Sequence, residues 1–386
     1  MLERAMAFLP TRVAQAEPLL RRWVEQSSYT ADVKDVNAMG RLLLDAFAET
    51  GMRVQVEPGR EYGDHLGLFT PAWDSGASRV LLVGHHDTVF PRGSFVGYRR
   101  DGELARGPGV LDMKGGLVTV RTALCALADA GVLAELPVGL ICVADEEVGS
   151  PESAAFTATN AKGATAALVF EAGRAEDAII TRRKGTGSVQ LRVRGKAAHA
   201  GNQHADGVNA IWALSRIVDR VQALTDYQRG VTVNVGTIAG GTSKNTVPAE
   251  ARIEIDLRFE TAADGDRVVA EIETLAQQVA AEFGAHAELG GGIRRPPLER
   301  TDASVALFQR YAVCARAAGL GAPEAGLLGG GSDANNVAAL GVPAIDGLGP
   351  RGRGFHTHDE FIEVPSLALR SEALLRFLLD LAPSTA

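Results

Sequence analysis

Val80-Leu81-Leu82-Val83-Gly84-His85-His86-Asp87-Thr88-Val89-Phe90-Pro91 decides how this chain is read. Four apolar residues between Arg79 and Gly84 predict a strand buried on both faces, as in a parallel sheet. The run then delivers a His and an Asp two positions apart and stops before Pro91. Side chains at i and i+2 of an extended backbone share a face, so His85 and Asp87 are expected as neighbours, with His86 turned away. Ligands of open α/β sheets sit beyond the carboxyl ends of the strands. A histidine there, oriented by an aspartate, is a candidate metal ligand.

The same signature recurs downstream. An apolar run at 138–144 ends in Asp145-Glu146-Glu147, and another at 166–170 ends in Glu171. Before both, Asp112-Met113-Lys114-Gly115-Gly116 opens an apolar-periodic stretch to Gly131 that predicts a long helix. Two helices are expected within 11–50, short strands at 53–57 and 65–69, and a loop over 91–111.

The texture changes near Gly185. Val189, Leu191 and Val193 alternate with polar residues, the pattern of a sheet with one face in water. A helix is expected at 209–224, strands at 231–238 and 251–259, a helix at 264–283 and a short strand near Ala287. This βαββαβ order is ferredoxin-like, so 185–293 reads as an inserted domain with 291–297 as its exit linker. The first texture then returns. Helices are expected at 303–318, from Gly329-Gly330-Gly331-Ser332-Asp333 to near Gly341, and at 364–381, with a short strand at 342–345. The expected fold is α/β, a mixed, mostly parallel sheet flanked by helices over 1–184 and 294–386, interrupted by the inserted α+β domain.

Composition removes several function classes. A chain of 386 residues, 46% hydrophobic and 22% charged, has the profile of an ordinary soluble protein with room for two or three domains. A net charge of -8 and the lack of a basic stripe argue against nucleic-acid binding. No stretch approaches the roughly 18 apolar residues of a membrane span, and no signal peptide is evident, so the cytoplasm is expected. Cys125, Cys142 and Cys314 are unpatterned and read as buried reduced thiols.

His85, Asp87, Asp112, Glu146, Glu147, Glu171 and His356 form the candidate constellation. Imidazole nitrogens with carboxylate oxygens suit zinc or another divalent transition ion. Two histidines and three carboxylates exceed what one four-coordinate ion with an open position needs. They suit two ions about 3.5 Å apart with one bridging carboxylate. His65, His86, His204, His286 and His358 are expected as surface or loop residues. His358, two positions from His356, is the rival for its ligand role.

Gly84-His85-His86-Asp87-Thr88-Val89, the run 107–116 ending in Asp112-Met113-Lys114-Gly115-Gly116, Asp145-Glu146-Glu147-Val148-Gly149-Ser150, Ala198-His199-Ala200-Gly201, and the glycine run at 329–331 followed by Phe355-His356 together resemble the M20 metallopeptidases, in particular their glutamate carboxypeptidase branch. The resemblance implies that His85, Asp112 and Glu171 hold one Zn2+ and that Asp112, Glu147 and His356 hold the other. Asp87 matches the family's aspartate behind the histidine ligand, and Glu146 its general base toward a water that attacks the amide carbonyl. That Glu146 rather than Glu147 is the base rests on the motif alone. His199 matches the residue that stabilises the tetrahedral oxyanion, reaching across a homodimer. Asn245 and Arg258 match substrate contacts, a guanidinium being a natural bidentate partner for a carboxylate, and Gly331, at the mouth of a helix, could add a backbone N–H to that contact. Arg258 could instead be a structural strand-end arginine paired with Asp256. Met113 stands where some relatives carry an acidic residue. Arg182-Arg183-Lys184-Gly185 and Arg294-Arg295 match substrate-recognising positions only loosely.

The implied activity is hydrolysis of an amide bond that releases a C-terminal amino acid from a small peptide or a glutamyl conjugate. The alternative within the family is an N-acyl-amino-acid deacylase. The alternative of another class is a non-catalytic protein that binds a peptide or amino-acid conjugate. The inserted domain is expected to act as lid and dimerisation domain.

Overall fold

The computed structural model describes residues 1–74 and 78–381. Its contacts divide the chain into two units. One comprises Met1–Arg182, Arg300–Leu327 and Ser332–Ala386, the other Arg183–Glu299 and Leu328–Gly331.

The first unit is built on the opening stretch. Arg79–His85 is a strand whose residues from Val80 onward are all buried. It lies in a six-stranded sheet, between Val138–Val143 and Ala164–Val169, both parallel to it. Ala344–Ile345 extends the parallel part, and the antiparallel pair His65–Phe69 and Arg53–Glu57 completes the other edge. Apolar runs without alternation thus become central strands covered on both faces. The carboxyl ends of three adjacent parallel strands point the same way, which brings His85, Glu146 and Glu171 to one end of the sheet.

Helix Gly115–Asp129 is buried along nearly its whole length, as a helix apolar on all sides must be. It packs against Leu2–Glu25 and Pro365–Asp380. Gly116 is required by close approach, because a Cβ there would sit 2.0 Å from the Phe170 carbonyl oxygen. Leu2–Glu25 begins earlier than the sequence suggests and continues through Pro10 and Pro18.

Three expectations need correction. The stretch 91–111 is not all loop. Arg99–Asp101 and Leu104–Arg106 join Phe361–Glu363 and Gly352–Arg353 in a small antiparallel sheet. His65 and His86 are not surface residues; both are buried. The His65 ring accepts the Ala144 N–H through Nδ1 (3.2 Å) and stacks on Phe156. Finally, residues 291–295 are not linker, for the last strand of the second unit runs from His286 to Arg295. Its glycines hid it. Gly291 has φ 86°, and a Cβ there would lie 2.1 Å from the Ser188 carbonyl oxygen. Only glycine permits that pairing.

The second unit is an antiparallel sheet in the order Thr232–Gly240, Glu250–Phe259, Gly185–Arg194, His286–Arg295. Helices Ala210–Gln222 and Ala262–Glu282 pack on it, and Val189, Leu191, Val193, Ile253, Ile255 and Leu257 form a core of its own with them. The alternation along Gly185–Arg194 faces this core with every second residue. Among the described residues, no helix is long and apolar enough to cross a membrane, and the three cysteines are buried and unpaired.

Candidate metal centre

The strand carrying His85 ends in two coupled contacts. The His85 ring approaches Asp87 through Nδ1, 3.2 Å from the carboxylate Oδ1 and 3.1 Å from the Asp87 carbonyl. Asp87 is fully buried and accepts hydrogen bonds at Oδ2 from the Thr30 hydroxyl (2.8 Å) and the Glu147 N–H (3.3 Å). Its carboxyl is held below the ordinary range: burial opposes ionisation, but His85 and Thr30 outweigh it. His86 does point away, both ring nitrogens buried with no hydrogen-bond partner among the described residues. Burial pushes its pKa down to about 3.

Nε2 of His85 faces the other way, 3.1 Å from Asp112 Oδ1 and 3.6 Å from Glu171 Oε1. The second oxygen of Asp112 is 3.2 Å from Nε2 of His356, which also lies 3.0 Å from Glu147 Oε2. Asp112 therefore presents one carboxylate oxygen to each of two imidazoles. The chain around these residues is locally unusual. The Asp112–Met113 peptide is cis, and His356 has φ 62°, a left-handed conformation uncommon for a residue with a side chain.

Glu146 and Glu147 share a single turn, Glu146–Val148, at the end of strand Val138–Val143. Asp145 braces that turn by accepting the N–H groups of Glu152 (2.7 Å) and Ser153 (3.1 Å). Both have a carboxylate oxygen within 4.8 Å of a His85 ring nitrogen, Glu146 in a group with Glu171 and Glu147 in a group with Asp112, and Glu147 also meets His356. Glu171 follows strand Ala164–Val169 and is buried.

Electrostatics mark the cluster as excessively acidic for its degree of burial. Burial, reinforced by Asp112, raises the Glu171 carboxyl well above its usual range. Burial raises that of Glu147 to about 7, despite the opposing bond to His356. Hydrogen bonds to Asp112 and Glu147 lift His356 to about 10. His85 is also raised well above the ordinary value, since Asp112 and Asp87 overcome its burial. Glu147 Oε1 is buried with no hydrogen-bond partner among the described residues. Mixed nitrogen and oxygen donors, an orphaned carboxylate oxygen and clustered acids are what divalent transition ions satisfy. His85, Asp112, Glu147, Glu171 and His356 fit such a group. Their placement on opposite sides of Asp112 suits two ions rather than one.

Residues 181–284 match the peptidase dimerisation domain of the M20 family. Carboxypeptidase G2 of Pseudomonas sp. (strain RS-16) is 29% identical over 371 residues, covering 94% of this chain and 88% of that protein. Acetylornithine deacetylase of Myxococcus xanthus is 31% identical over 320 residues, 78% of this chain and 79% of that protein. The chain belongs to the M20 family of metallopeptidases. M20 membership makes it a hydrolase acting on amide bonds, and the architecture agrees. A dinuclear metal-binding M20 peptidase from Bacillus subtilis superposes with a TM-score of 0.71 at 15% identity, covering 97% of this chain and 99% of that one.

The other candidate residues lie on the second unit of this M20 chain. His199 and Asn245 are brought together, because Ala198–His199 pairs with Thr246–Val247 and the Ala200 N–H donates to the Asn245 carbonyl (3.0 Å). Nδ1 of His199 accepts the N–H groups of Gly201 and Asn202, both at 3.1 Å. Its Nε2 therefore carries the proton in the neutral ring. The Arg258 guanidinium makes two hydrogen bonds to Asp256, at 2.9 and 3.0 Å, a structural pairing along its own strand. Gly331 lies against Arg295, whose side-chain Cδ is 2.6 Å from where a Cβ would be. His358 is drawn into an aromatic cluster with Phe90 and Phe95. It is His356 that meets Asp112 and Glu147. One residue was missed by sequence reasoning. Glu360, four positions past His356, is wholly buried against the Asp112 loop. Its spacing from the ligand was the only available signal.

Proposed function

We propose that this protein is a dinuclear, zinc-dependent amidohydrolase that releases a C-terminal amino acid from a small peptide or a glutamyl or similar acyl conjugate. The observation that carries the reading is the placement of Asp112 between His85 and His356, one oxygen at 3.1 Å and the other at 3.2 Å. His85, Asp112 and Glu171 would hold one ion, and Asp112, Glu147 and His356 the other. Two such ions would lower the pKa of a shared water and polarise the scissile carbonyl.

The chain's own residues supply the rest. Asp87 fixes the ring of His85 and strengthens it as a ligand. Glu146 would be the general base, as the motif implies: it lies beside His85 and Glu171, and it is Glu147 that meets His356. In this role it takes a proton from water and delivers it to the leaving amine. His199, with Nε2–H as donor, would stabilise the oxyanion. Asn245, Arg258 and the backbone at Gly331 would receive the substrate carboxylate, Arg258 exchanging Asp256 for it. We further propose a homodimer formed through the second unit. Trp212 and Ile238 are 60% and 61% exposed there, on a helix and an edge strand.

Deacylation of N-acyl amino acids is the second reading, favoured by the similarity to acetylornithine deacetylase. A panel of dipeptides, glutamate conjugates and N-acyl amino acids, run with Glu146→Gln beside the wild type, tests both. Turnover in the variant should fall by roughly 10²–10⁴-fold with zinc content unchanged. Wild-type rates in that variant would remove Glu146 from the mechanism. A wild type inert on the entire panel, though loaded with two ions, would favour a binding protein.

A further inference from the structure

Glu360 belongs to no part of the chemistry above, yet it is 0% exposed and carries a carboxylate. Such a group is costly to bury unless its oxygens are satisfied. Here they are satisfied by one segment of backbone. The N–H groups of Leu111 (2.8 Å) and Asp112 (2.9 Å) both donate to Oε1, and the N–H of Gly109 donates to Oε2 (3.0 Å). Three donors from four consecutive residues thus converge on one side chain that is 248–251 positions away in sequence.

Two features give this contact a direction. The donors run up to and include Asp112, so Glu360 fixes the peptide plane that leads into the Asp112 side chain. Gly109 has φ 70°, and this left-handed turn aims its N–H inward where a straight chain would not. Glu360 also ends the loop that carries His356, just before strand Phe361–Glu363, which pairs with Leu104–Arg106. A single side chain therefore ties the His356 segment to the Asp112 segment.

We propose that Glu360 is the positioning residue of the dinuclear centre: its carboxylate clamps the backbone at 109–112 and so sets the distance between the Asp112 bridge and His356. The proposal rests on the two-ion reading. Burial pushes the Glu360 carboxyl up to about 8, with the three N–H groups favouring its ionised form, and the donors of one loop all meet on this single buried side chain. Glu360→Gln keeps the volume but offers one acceptor oxygen, so its amide nitrogen must face a backbone donor. Glu360→Ala removes the clamp altogether.

Zinc alone is the probe. Full-length wild type, Glu360→Gln and Glu360→Ala, stripped of metal, are titrated with zinc against a chromophoric chelator, and Tm is recorded with and without zinc. The wild type should bind two ions. The variants should bind zinc at least tenfold more weakly, the order expected when a group behind a ligand is lost, and should show a smaller zinc-induced rise in Tm. If Glu360→Ala does not fold, Glu360→Gln decides. A folded Glu360→Gln that binds two ions within threefold of the wild type overturns the positioning role and leaves the two-ion reading intact. Equal drops in Tm with and without zinc, at unchanged affinity, overturn it as well, since they describe a purely structural clamp. A wild type that binds fewer than two ions overturns the two-ion reading and this inference with it.

Discussion

Asp87→Asn isolates the contribution of a group that touches no ion. The substitution is isosteric and leaves an oxygen for Nδ1 of His85, now 3.2 Å from Asp87 Oδ1 with both residues buried. Only the charge is lost from that bond. A hydrogen bond to a charged group contributes about 1.5–3 kcal/mol, against roughly half for a neutral one. The difference, about 0.8–1.5 kcal/mol, is a factor of about 4–13 in an equilibrium constant. A second conflict adds to it. The new amide nitrogen must face either His85 or the Glu147 N–H that now donates to Oδ2 at 3.3 Å. Thr30 can adapt by turning its hydroxyl to the Thr88 carbonyl, already 3.2 Å away. Zinc affinity should therefore fall by about 10–100-fold, the range found for such partners. Competition with a chelator of known affinity measures this, and near-UV circular dichroism checks the fold. A folded variant binding zinc as tightly as the wild type would refute the reasoning that Asp87 acts through His85.

Other expectations follow from the same geometry. In the metal-free protein His356 keeps its proton to about pH 10 and Glu147 to about 7. Both must shed it to bind an ion, so zinc binding at pH 7 should release more than one proton and affinity should climb as pH rises toward 10; a pH indicator in weak buffer would show no release if the assignment is wrong. Asp177→Asn strips the partner from Arg370, which is fully buried 3.3 Å away, and from Arg351. The loss should reach about 3–5 kcal/mol in urea unfolding, and a change below 1 kcal/mol would mean the guanidinium finds another partner. Trp212→Glu should convert the proposed dimer to monomer in sedimentation velocity, and a dimer that survives places the interface elsewhere.

The legible part of the fold was the part written in apolar runs. The segment 80–83 and the runs ending at Glu146 and Glu171 declared buried parallel strands because they do not alternate, and polar residues at their ends then had to lie together. The second unit was legible through the alternation along Gly185–Arg194. What stayed hidden depended on backbone rather than side chains. The triple glycine 290–292 pairs as strand through main-chain bonds alone, with no side-chain pattern to announce it. The small sheet joining Leu104–Arg106 to Phe361–Glu363 consists of segments too short to show a period. That sheet carries the His356 loop to Asp112, so the contact on which the site depends was visible only as a motif. Glu360 escaped notice for the same reason, since its partners are amide groups, which every residue has.

The central claim is that two cations share Asp112. Anomalous difference density from crystals of the zinc-loaded wild type, collected above and below the zinc edge, addresses it directly. The account predicts two peaks about 3.5 Å apart, one beside His85 and Glu171, the other beside His356 and Glu147, with a carboxylate oxygen of Asp112 toward each. A single peak in a fully active protein, or a pair that Asp112 does not join, would contradict it.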